Sequence, residues 1–466
     1  MMPTERYEKL QEYLSAENPI LLEVIEKYKS LDELGHKIGF ITPEETYTSN
    51  ISWWPMISVL GTFSAGKSTF INQYIGKNIQ QSGNQAVDDK FTVICYGENE
   101  EPTTLPGLAL DADPRFPFYN ISDEVNKVDP GEGNRVNLYL QLKTLNADRL
   151  KGKILIDSPG FDADSQRDGI LRITSHIVDM SDLVLVFFDA RHPEPGAMRD
   201  TLKHLVGATK NHRDANKILY ILNQIDTTAK EDNLETVIAS WQRAMSQEGL
   251  ISGNFYGIYN ELSAIAIDDP AQAERLQRKK DIDLLAITER MDKVGIERAY
   301  RIIKALEDFS KQMKDEKIPT LQKALQRWSK SVLITDFLLL VLIGSSVAFA
   351  EIKFGYISQV LTSNFMQFGA ITVAIVLFVA MHFKVKSIFA SIVSNSYKTK
   401  DISISKAIVH NTKWWKPIFG YSSSRWGSKN MKKLEVLMKE SRSYIQKLND
   451  QFISPSGDKI TPKKEK

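Results

Sequence analysis

The feature that most constrains the fold of this chain is a glycine-rich loop at residues 61–68, which reads Gly-Thr-Phe-Ser-Ala-Gly-Lys-Ser. An apolar, partly β-branched run at 56–60 predicts a buried strand before it, and residues 69–75 predict a helix after it. This order is the context of a phosphate-binding loop, in which backbone N–H groups and a helix N-terminus face phosphate oxygens. We therefore expect Lys67 to contact the β- and γ-phosphates of a nucleotide and Ser68 to bind Mg²⁺.

Two later motifs also follow apolar strands. A strand ends at Asp157 and continues into a Pro-Gly turn, an arrangement in which the carboxylate holds the metal shell and Gly160 can move toward a γ-phosphate. Another strand ends in Asn-x-x-Asp, where Asp226 can accept two hydrogen bonds from guanine and Asn223 can brace the loop. Each motif alone is also a common turn. Together they predict an α/β P-loop domain of the GTPase type, with a mostly parallel sheet and helices on both faces.

Several stretches resemble the dynamin superfamily, and within it the EHD ATPases and sarcalumenin. Ser64 stands where dynamin-type loops carry a serine that helps to organise the transferred phosphoryl group. The stretches similar to the EHD branch are residues 91–97, 105–114, 117–118, 165–167 and 185–190. The resemblance covers residues 50–262. It implies a membrane-remodelling nucleoside triphosphate hydrolase that forms homodimers or homo-oligomers through its GTPase domain and a helical stalk.

The candidate site residues follow from these motifs and from the resemblance. Ser64 and Lys67 are the candidate catalytic residues, and Ser68 and Asp157 are the candidate metal ligands. The predicted nucleotide-binding residues are Gly61, Ser64, Ala65, Gly66, Lys67, Ser68, Thr69, Asp157, Gly160, Asn223, Gln224 and Asp226. The expected cofactors are Mg²⁺ and GTP, or ATP, because the EHD proteins are similar at the Asn-x-x-Asp motif and use ATP. The single cysteine, Cys95, excludes a Cys-based zinc site.

One position departs from the resemblance. The EHD family carries two threonines ahead of its Phe-Thr-Val strand, one of which binds Mg²⁺ and senses the γ-phosphate, whereas Val87 and Asp88 stand at these positions in this chain. A carboxylate can bind Mg²⁺, but it also brings negative charge near the γ-phosphate, which is unfavourable at short range. Nucleotide binding is therefore better supported than turnover. A nucleotide-gated membrane scaffold with little turnover and an ATP-using EHD-like ATPase remain alternatives to a membrane-anchored GTPase.

Two apolar segments predict a transmembrane hairpin. Residues 332–350 contain one charged residue, Asp336, and residues 366–383 contain none apart from a protonatable His382. A spanning helix needs about 20 apolar residues, so the first segment is long enough and the second is marginal; a buried soluble hairpin is the other interpretation. Basic residues flank both outer ends, whereas Lys353 is the only one between the segments. The positive-inside rule therefore predicts an integral membrane protein with its GTPase domain on the cytosolic face.

The distribution of charged residues and the apolar periodicity indicate how the rest of the chain is divided into parts. The net charge is +1, yet residues 384–466 hold 18 Lys and Arg against 6 Asp and Glu. Placement after a membrane segment favours an anionic lipid bilayer, not nucleic acid, as the partner. The predicted parts are stalk helices at 1–50, a GTPase domain at 51–265, stalk helices at 266–330, the hairpin at 331–384 with spans 332–350 and 366–383, a basic helical region at 385–453 and a disordered tail at 454–466.

The sequence also gives expectations for two short stretches of the helical regions, around Pro319 and at residues 411–416. Pro319 is predicted to interrupt an apolar stripe that runs from residue 296 to residue 328. Residues 411–416, Asn-Thr-Lys-Trp-Trp-Lys, suit the headgroup layer, where indole rings and lysines meet anionic lipid. They equally suit a packed corner of the stalk.

Overall fold

The chain forms two compact units in a computed structural model. The sheet unit is Ser49–Ile302, and the helical unit comprises Met1–Thr48 and Ile303–Lys466. The structure describes residues 8, 10–12, 14, 19–48, 51–81, 90–111, 113, 116, 118, 121–122, 136–160, 168–192, 217–247, 254–355, 364–421 and 427–452. The predicted boundaries at residues 265, 330 and 384 stay predictions, as does the tail at 454–466, which lies outside the described residues.

The sheet unit is built on one sheet, with eight strands among the described residues, in the order β3-β4-β2-β5-β1-β6-β7-β8. The strands are β1 (Met56–Gly61), β2 (Phe91–Tyr96), β3 (Thr103–Pro106), β4 (Leu140–Leu145), β5 (Ile154–Asp157), β6 (Leu183–Asp189), β7 (Ile218–Asn223) and β8 (Asn254–Gly257). Neighbouring strands are parallel except for the β2–β5 and β3–β4 pairs, which are antiparallel. The predicted mostly parallel sheet is confirmed.

The helices of the described residues are numbered in chain order. They are α1 (Pro19–Ile38), α2 (Lys67–Ile75), α3 (Leu108–Asp111), α4 (Val136–Tyr139), α5 (Asp168–Met180), α6 (Leu234–Gln247), α7 (Pro270–Gln312), α8 (Ile318–Phe354), α9 (Asn364–Lys398), α10 (Ile402–Asn411) and α11 (Ser428–Phe452). Short 3₁₀ turns lie at Asp148–Leu150, Ile225–Lys230 and Glu261–Ser263, and a π-helical turn lies at Met313–Lys317.

Helices cover both faces of the sheet because the central strands are apolar on both sides. On one face, Ile57 of β1 belongs to a buried cluster with Phe70 of α2 and Ile287 of α7. On the other face, Leu60 of β1 lies in a cluster with Trp241 of α6. Parallel strands buried on both faces are typical of α/β folds, whose ligands bind at the carboxyl ends of the strands.

A buried carboxylate attaches α7 to the sheet. Asp182, which precedes β6, is fully buried and accepts a hydrogen bond from the Met56 backbone N–H at 2.9 Å. Arg298 and Arg301 of α7 donate to the same side chain at 3.2 and 2.9 Å. Removing one partner of such a buried pair is strongly destabilising, since it leaves an uncompensated charge. The cluster therefore fixes where α7 crosses the start of β1.

The helical unit joins the two ends of the chain. Lys27 and Glu23 of α1 form ion pairs with Glu440 and Lys447 of α11, at 3.0 and 2.9 Å. The end of α7 joins this group, because Arg442 of α11 donates to Glu307 at 2.8 Å. Helices from before and after the sheet unit thus pack together, as a stalk would.

Pro319 does not interrupt the helix, contrary to the sequence expectation. The helical run continues from Pro270 to Lys353 and passes through the π-helical turn at Met313–Lys317. A proline in a helix clashes with the carbonyl four residues earlier, which in this helix belongs to Asp315 within that turn. The wider π-helical turn redirects its carbonyls, which is how a continuous helix tolerates the proline.

Two helices among the described residues are long and apolar enough to cross a membrane, by length and composition. One is the continuous helix Pro270–Lys353, which ends with α8, and the other is Ile371–Lys398, which lies within α9. Large apolar side chains of α8 are exposed, such as Phe337 at 66%, whereas its neighbour Asp336 is only 8% exposed. Asp336 Oδ2 lies 2.7 Å from His382 Nδ1 of α9. The acidic side chain of the first apolar segment therefore contacts the histidine of the second.

Candidate nucleotide-binding site

The phosphate loop connects β1 to α2 and has a buried lysine at its centre. Lys67 Nζ donates to the carbonyl oxygens of Gly61 at 3.0 Å and of Thr62 at 3.1 Å. Burial lowers the pKa of Lys67, and the Asp157 carboxylate opposes this change. A buried cation that is held by carbonyl dipoles gains a stronger partner when an anion binds. The loop is therefore chemically suited to phosphate.

The loop adopts left-handed backbone conformations at two positions. Ser64 has φ of 60° and Gly66 has φ of 82°. A Cβ atom at Gly66 would lie 2.2 Å from Asn223 Nδ2, so only glycine fits there. Ser64 is a serine in a conformation that costs a non-glycine residue free energy, and such residues cluster at functional sites.

The Asn-x-x-Asp motif at the end of β7 contacts this loop directly. Asn223 Nδ2 donates to the Ala65 carbonyl at 2.9 Å, and Gln224 Nε2 donates to the Ser64 carbonyl at 2.7 Å. Gln224 also has a left-handed backbone, with φ of 63°. The structure thus brings the phosphate loop and the predicted base motif together.

The candidate metal ligands meet at the start of α2. Ser68 Oγ lies 3.4 Å from Asp157 Oδ2, because the end of β5 pairs with β1 and Asp157 is in register with Val59. Thr69 follows in the first turn of α2. A hydroxyl and a carboxylate are the oxygen ligands that Mg²⁺ prefers, and Mg²⁺ in nucleotide sites takes few protein ligands beside the phosphates. These residues fit the metal.

Glycines at both sides of the site allow close packing. A Cβ at Gly61 would lie 2.7 Å from the Phe187 carbonyl oxygen of β6. A Cβ at Gly160 would lie 2.9 Å from Cα of Phe63. The turn after β5 therefore lies against the phosphate loop.

The predicted base-binding residue Asp226 lies in the 3₁₀ turn after β7. Asp226 is buried, and its Oδ2 accepts a hydrogen bond from the Ile265 backbone N–H at 2.9 Å. Arg191, a residue that the motifs did not single out, donates through Nε to Asp189 at 3.0 Å. The bond to Asp189, together with the nearby Asp226 carboxylate, raises the pKa of Arg191. The guanidinium therefore adds positive charge near the predicted base position.

Two further residues were missed because no motif marks them. Gln80 Nε2 donates to Asp157 Oδ2 at 2.6 Å, and Lys143 Nζ donates to Gln80 Oε1 at 2.6 Å. Gln80 follows α2 and Lys143 lies in β4, so the two residues are far apart in sequence and meet only in the folded chain. The twelve predicted nucleotide-binding residues all lie at the carboxyl ends of β1, β5 and β7 or in the segments that directly follow them. Positions 87 and 88 lie outside the described residues.

Comparisons with known proteins find a matching family and several similar proteins. A sequence model of the dynamin family matches residues 57–225. EH domain-containing protein 2 of Rattus norvegicus is 29% identical over 182 residues, which cover 37% of this chain and 30% of the relative. EH domain-containing protein 1 of Homo sapiens is 27% identical over 180 residues, which cover 37% of this chain and 31% of the relative. The chain spans about a third of the length of these curated relatives.

A solved structure covers more of the chain at lower similarity. It is described as an oligomerised bacterial dynamin pair that provides a mechanism for the long range sensing and tethering of membranes. It aligns over 90% of this chain and 79% of its own, with 14% identity and a TM-score of 0.36.

Proposed function

We propose that this chain is a membrane-anchored GTPase of the dynamin superfamily that self-assembles to remodel, tether or scaffold a membrane. The match of residues 57–225 to the dynamin family and the similarity to EH domain-containing proteins support this proposal. The observation that carries the proposal is the junction of three motifs at one edge of the sheet. The buried Lys67, the Ser68–Asp157 pair and the Asn223 amide all contact or adjoin the same loop.

The proposed chemistry follows from these positions. Lys67 and the loop N–H groups bind the β- and γ-phosphates, and Ser68 and Asp157 hold Mg²⁺. The metal, when bound, neutralises charge on the phosphate oxygens. Ser64 supports hydrolysis from the loop, where Gln224 binds its carbonyl. Positioning and charge stabilisation account for most catalysis of phosphoryl transfer, and both are supplied in this site by groups held in place before reaction.

GTP is the proposed nucleotide. The paired oxygens of a carboxylate are acceptors for N–H donors, and the guanine edge presents two such donors side by side, whereas the adenine edge presents an acceptor beside its amino group. Asp226 supplies the carboxylate in this proposal, and Asn223 and Gln224 hold the loop beneath the base. ATP is the alternative nucleotide, as the relation to the EHD branch indicates.

The membrane anchor is proposed to be the α8–α9 hairpin, with the sheet unit on the cytosolic side. Exposed apolar side chains along both helices support insertion, since a patch of this size in water would be unfavourable. Trp414 and Trp415 are 67% and 60% exposed, and Lys413 Nζ lies 5.2 Å from the centre of the Trp415 ring. Exposed indole rings beside lysines favour the headgroup layer of an anionic bilayer over a packed corner.

A second candidate function is a nucleotide-gated scaffold with little turnover. The observation that favours it is Asp88, which replaces a threonine of the EHD pattern. Both candidates require nucleotide binding and self-assembly, and they differ only in hydrolysis.

The functional test uses the full-length protein in detergent and in anionic vesicles, with GTP or ATP and Mg²⁺. Calorimetry measures affinity, phosphate release measures turnover, and light scattering measures assembly. We expect GTP to bind more tightly than ATP and turnover to rise in vesicles. Tighter ATP binding would favour the EHD-like ATPase, and assembly without phosphate release would favour the scaffold. Failure to bind either nucleotide would overturn both.

The anchor is tested by extraction from membranes. Burial stabilises apolar surface by about 25 cal/mol per Å², so the full-length protein should resist high salt and alkali. Replacing four exposed hairpin residues, Phe337, Leu342, Val376 and Leu377, by serine should release it. The matched control replaces the exposed Ile282 and Leu285 of α7 by serine and should stay membrane-bound. If salt alone strips the parent protein from membranes, the hairpin is a soluble element.

A further inference from the structure

A buried polar chain connects the metal-holding carboxylate to β4. Gln80 is 3% exposed and Lys143 is 8% exposed. The amide of Gln80 bridges the carboxylate and the ammonium, because Nε2 donates to Asp157 Oδ2 at 2.6 Å while Oε1 accepts from Lys143 Nζ at 2.6 Å. Both hydrogen bonds involve a charged partner, and such bonds are roughly twice as strong as neutral ones.

Lys143 determines which way the Gln80 amide points. An ammonium group only donates hydrogen bonds, so it selects the amide oxygen. The amide nitrogen must then face Asp157, where it meets an acceptor. The reversed amide would place an oxygen against the carboxylate and an NH₂ group against the ammonium. Only the orientation with Oε1 toward Lys143 and Nε2 toward Asp157 therefore forms a hydrogen bond at both ends of the amide.

The backbone of Gln80 is held by the helix of the phosphate loop. Asn72 of α2 accepts hydrogen bonds from the N–H groups of Ile79 and Gln80 at 3.0 and 2.9 Å, and donates to the Gln80 carbonyl at 2.8 Å. Because α2 begins at Lys67, the helix that places the phosphate-binding lysine also places Gln80.

We propose that Gln80, oriented by Lys143, is a positioning residue for Asp157 and thereby for Mg²⁺. The terminal torsion of an aspartate is broad, so a carboxylate that must present an oxygen to a metal shell needs a partner to fix its plane. Gln80 and Ser68 supply such partners, and both donate to the same carboxylate oxygen, Oδ2, at 2.6 and 3.4 Å. The inference rests on the proposed function, since it concerns the metal of the proposed nucleotide site.

The test measures the Mg²⁺ dependence of nucleotide binding in the full-length protein. A fluorescent GTP analogue is titrated at a series of free Mg²⁺ concentrations and in EDTA. Gln80→Leu should raise the Mg²⁺ concentration at which tight nucleotide binding is half-maximal by about 10-fold. Loss of a residue that hydrogen-bonds to a metal ligand typically weakens metal binding by about 10- to 100-fold, and we expect the lower value. Gln80→Glu keeps the bond to Lys143 but sets a second carboxylate against Asp157, and should raise it at least as far. Lys143→Met should raise it less, because the amide can still turn its NH₂ group toward Asp157.

Nucleotide affinity measured in EDTA shows whether Gln80 positions the metal ligand or only stabilises the fold. Affinity without the metal should stay within about twofold of the parent protein in every variant, because Lys67 and the loop are unchanged. The control is Lys217→Met, which removes a buried lysine that caps the Val178 carbonyl at the opposite end of the strands and should change neither quantity.

Three results are decisive. An unchanged Mg²⁺ midpoint in Gln80→Leu and Gln80→Glu would overturn the inference and leave the proposed function intact. An equal loss of binding in EDTA and in Mg²⁺, with a lowered Tm, would also overturn it, since Gln80 would then hold only the fold. A parent protein that binds no analogue at any Mg²⁺ concentration would instead overturn the proposed function.

Discussion

Asn223 donates a hydrogen bond from Nδ2 to the Ala65 carbonyl oxygen at 2.9 Å, so the end of β7 braces the phosphate loop. The contact is possible because residue 66 is glycine; a Cβ there would lie 2.2 Å from the same nitrogen. The asparagine of the Asn-x-x-Asp motif therefore contacts the loop, whereas the aspartate three residues later is the residue that we propose to bind the base. Replacing Asn223 and replacing Asp226 should therefore have different effects on the affinities for GTP and ATP.

Asn223→Ala should weaken GTP and ATP by the same factor. A single hydrogen bond contributes about 1 kcal/mol, which corresponds to about a fivefold loss of affinity. Calorimetry with each triphosphate and Mg²⁺ measures it. Asn99→Ala, which removes an exposed asparagine bonded to Thr103, is the control and should change neither affinity. A loss confined to one nucleotide would place Asn223 at the base.

Asp226→Asn should weaken GTP about 10-fold and leave ATP nearly unchanged, because an amide nitrogen then faces a donor of the base. The asparagine oxygen can still accept from the Ile265 N–H, so the local fold is kept. The ratio of the two dissociation constants measures the effect. The guanine assignment is wrong if the parent protein binds ATP more tightly than GTP.

Lys67→Ala should abolish binding of both triphosphates, because it removes the buried cation of the loop. Calorimetry at a protein concentration that resolves the parent affinity measures this. Lys217→Ala removes a similarly buried lysine and should bind as the parent does. Unchanged affinity in Lys67→Ala would reject the phosphate-loop assignment.

The Asp336–His382 pair should couple α8 to α9 in a double-mutant cycle. His382→Leu leaves Asp336 without its 2.7 Å partner, and should lower the Tm of the detergent-solubilised protein more than the double replacement of both residues by leucine. Polar contacts between membrane helices contribute about 0.6 kcal/mol on average, so the shift is small but measurable. Additive effects of the two single replacements would show that the pair does not couple the helices.

Glu307→Gln should destabilise the helical unit only above acidic pH. Hydrogen bonds from Lys304 and Arg442 hold the pKa of Glu307 below its usual range. A lowered folded-state pKa stabilises the fold above the unfolded value of about 4.3, and this contribution is lost as pH falls through the folded value. The Tm difference between parent and variant should therefore be largest near neutral pH and vanish once the pH is below the folded-state pKa. Glu435→Gln, which breaks the exposed pair with Lys314, should show little difference at any pH.

The parts of the candidate site that could be predicted are those whose functional residues lie close together in the sequence. The phosphate loop, its strand and its helix occupy one short stretch, so spacing alone identifies Lys67 and Ser68. The Asp157 and Asn223 motifs are recognisable because each follows an apolar strand, and parallel strands bring their carboxyl ends to one edge.

The parts that could not be predicted depend on pairing between distant segments. Gln80, in the segment after α2, meets Lys143 of β4 through a contact between residues 63 positions apart, which no periodicity encodes. The antiparallel pairing of β2 with β5 is likewise hidden, since both segments are simply apolar in sequence. The expectation that Pro319 interrupts the stripe is wrong because it considers the proline locally, whereas the adjacent π-helical turn accommodates it.

The left-handed backbones of Ser64 and Gln224 have a kinetic consequence. Gln224 Nε2 donates to the Ser64 carbonyl at 2.7 Å, so the curved form of the loop is held by a contact within the protein. A preorganised loop loses little conformational entropy on binding, so ordering of the loop reduces the affinity only slightly. Nucleotide association should then be limited by encounter and nearly independent of loop rearrangement, and the lifetime of the complex, not its rate of formation, should distinguish one nucleotide from another.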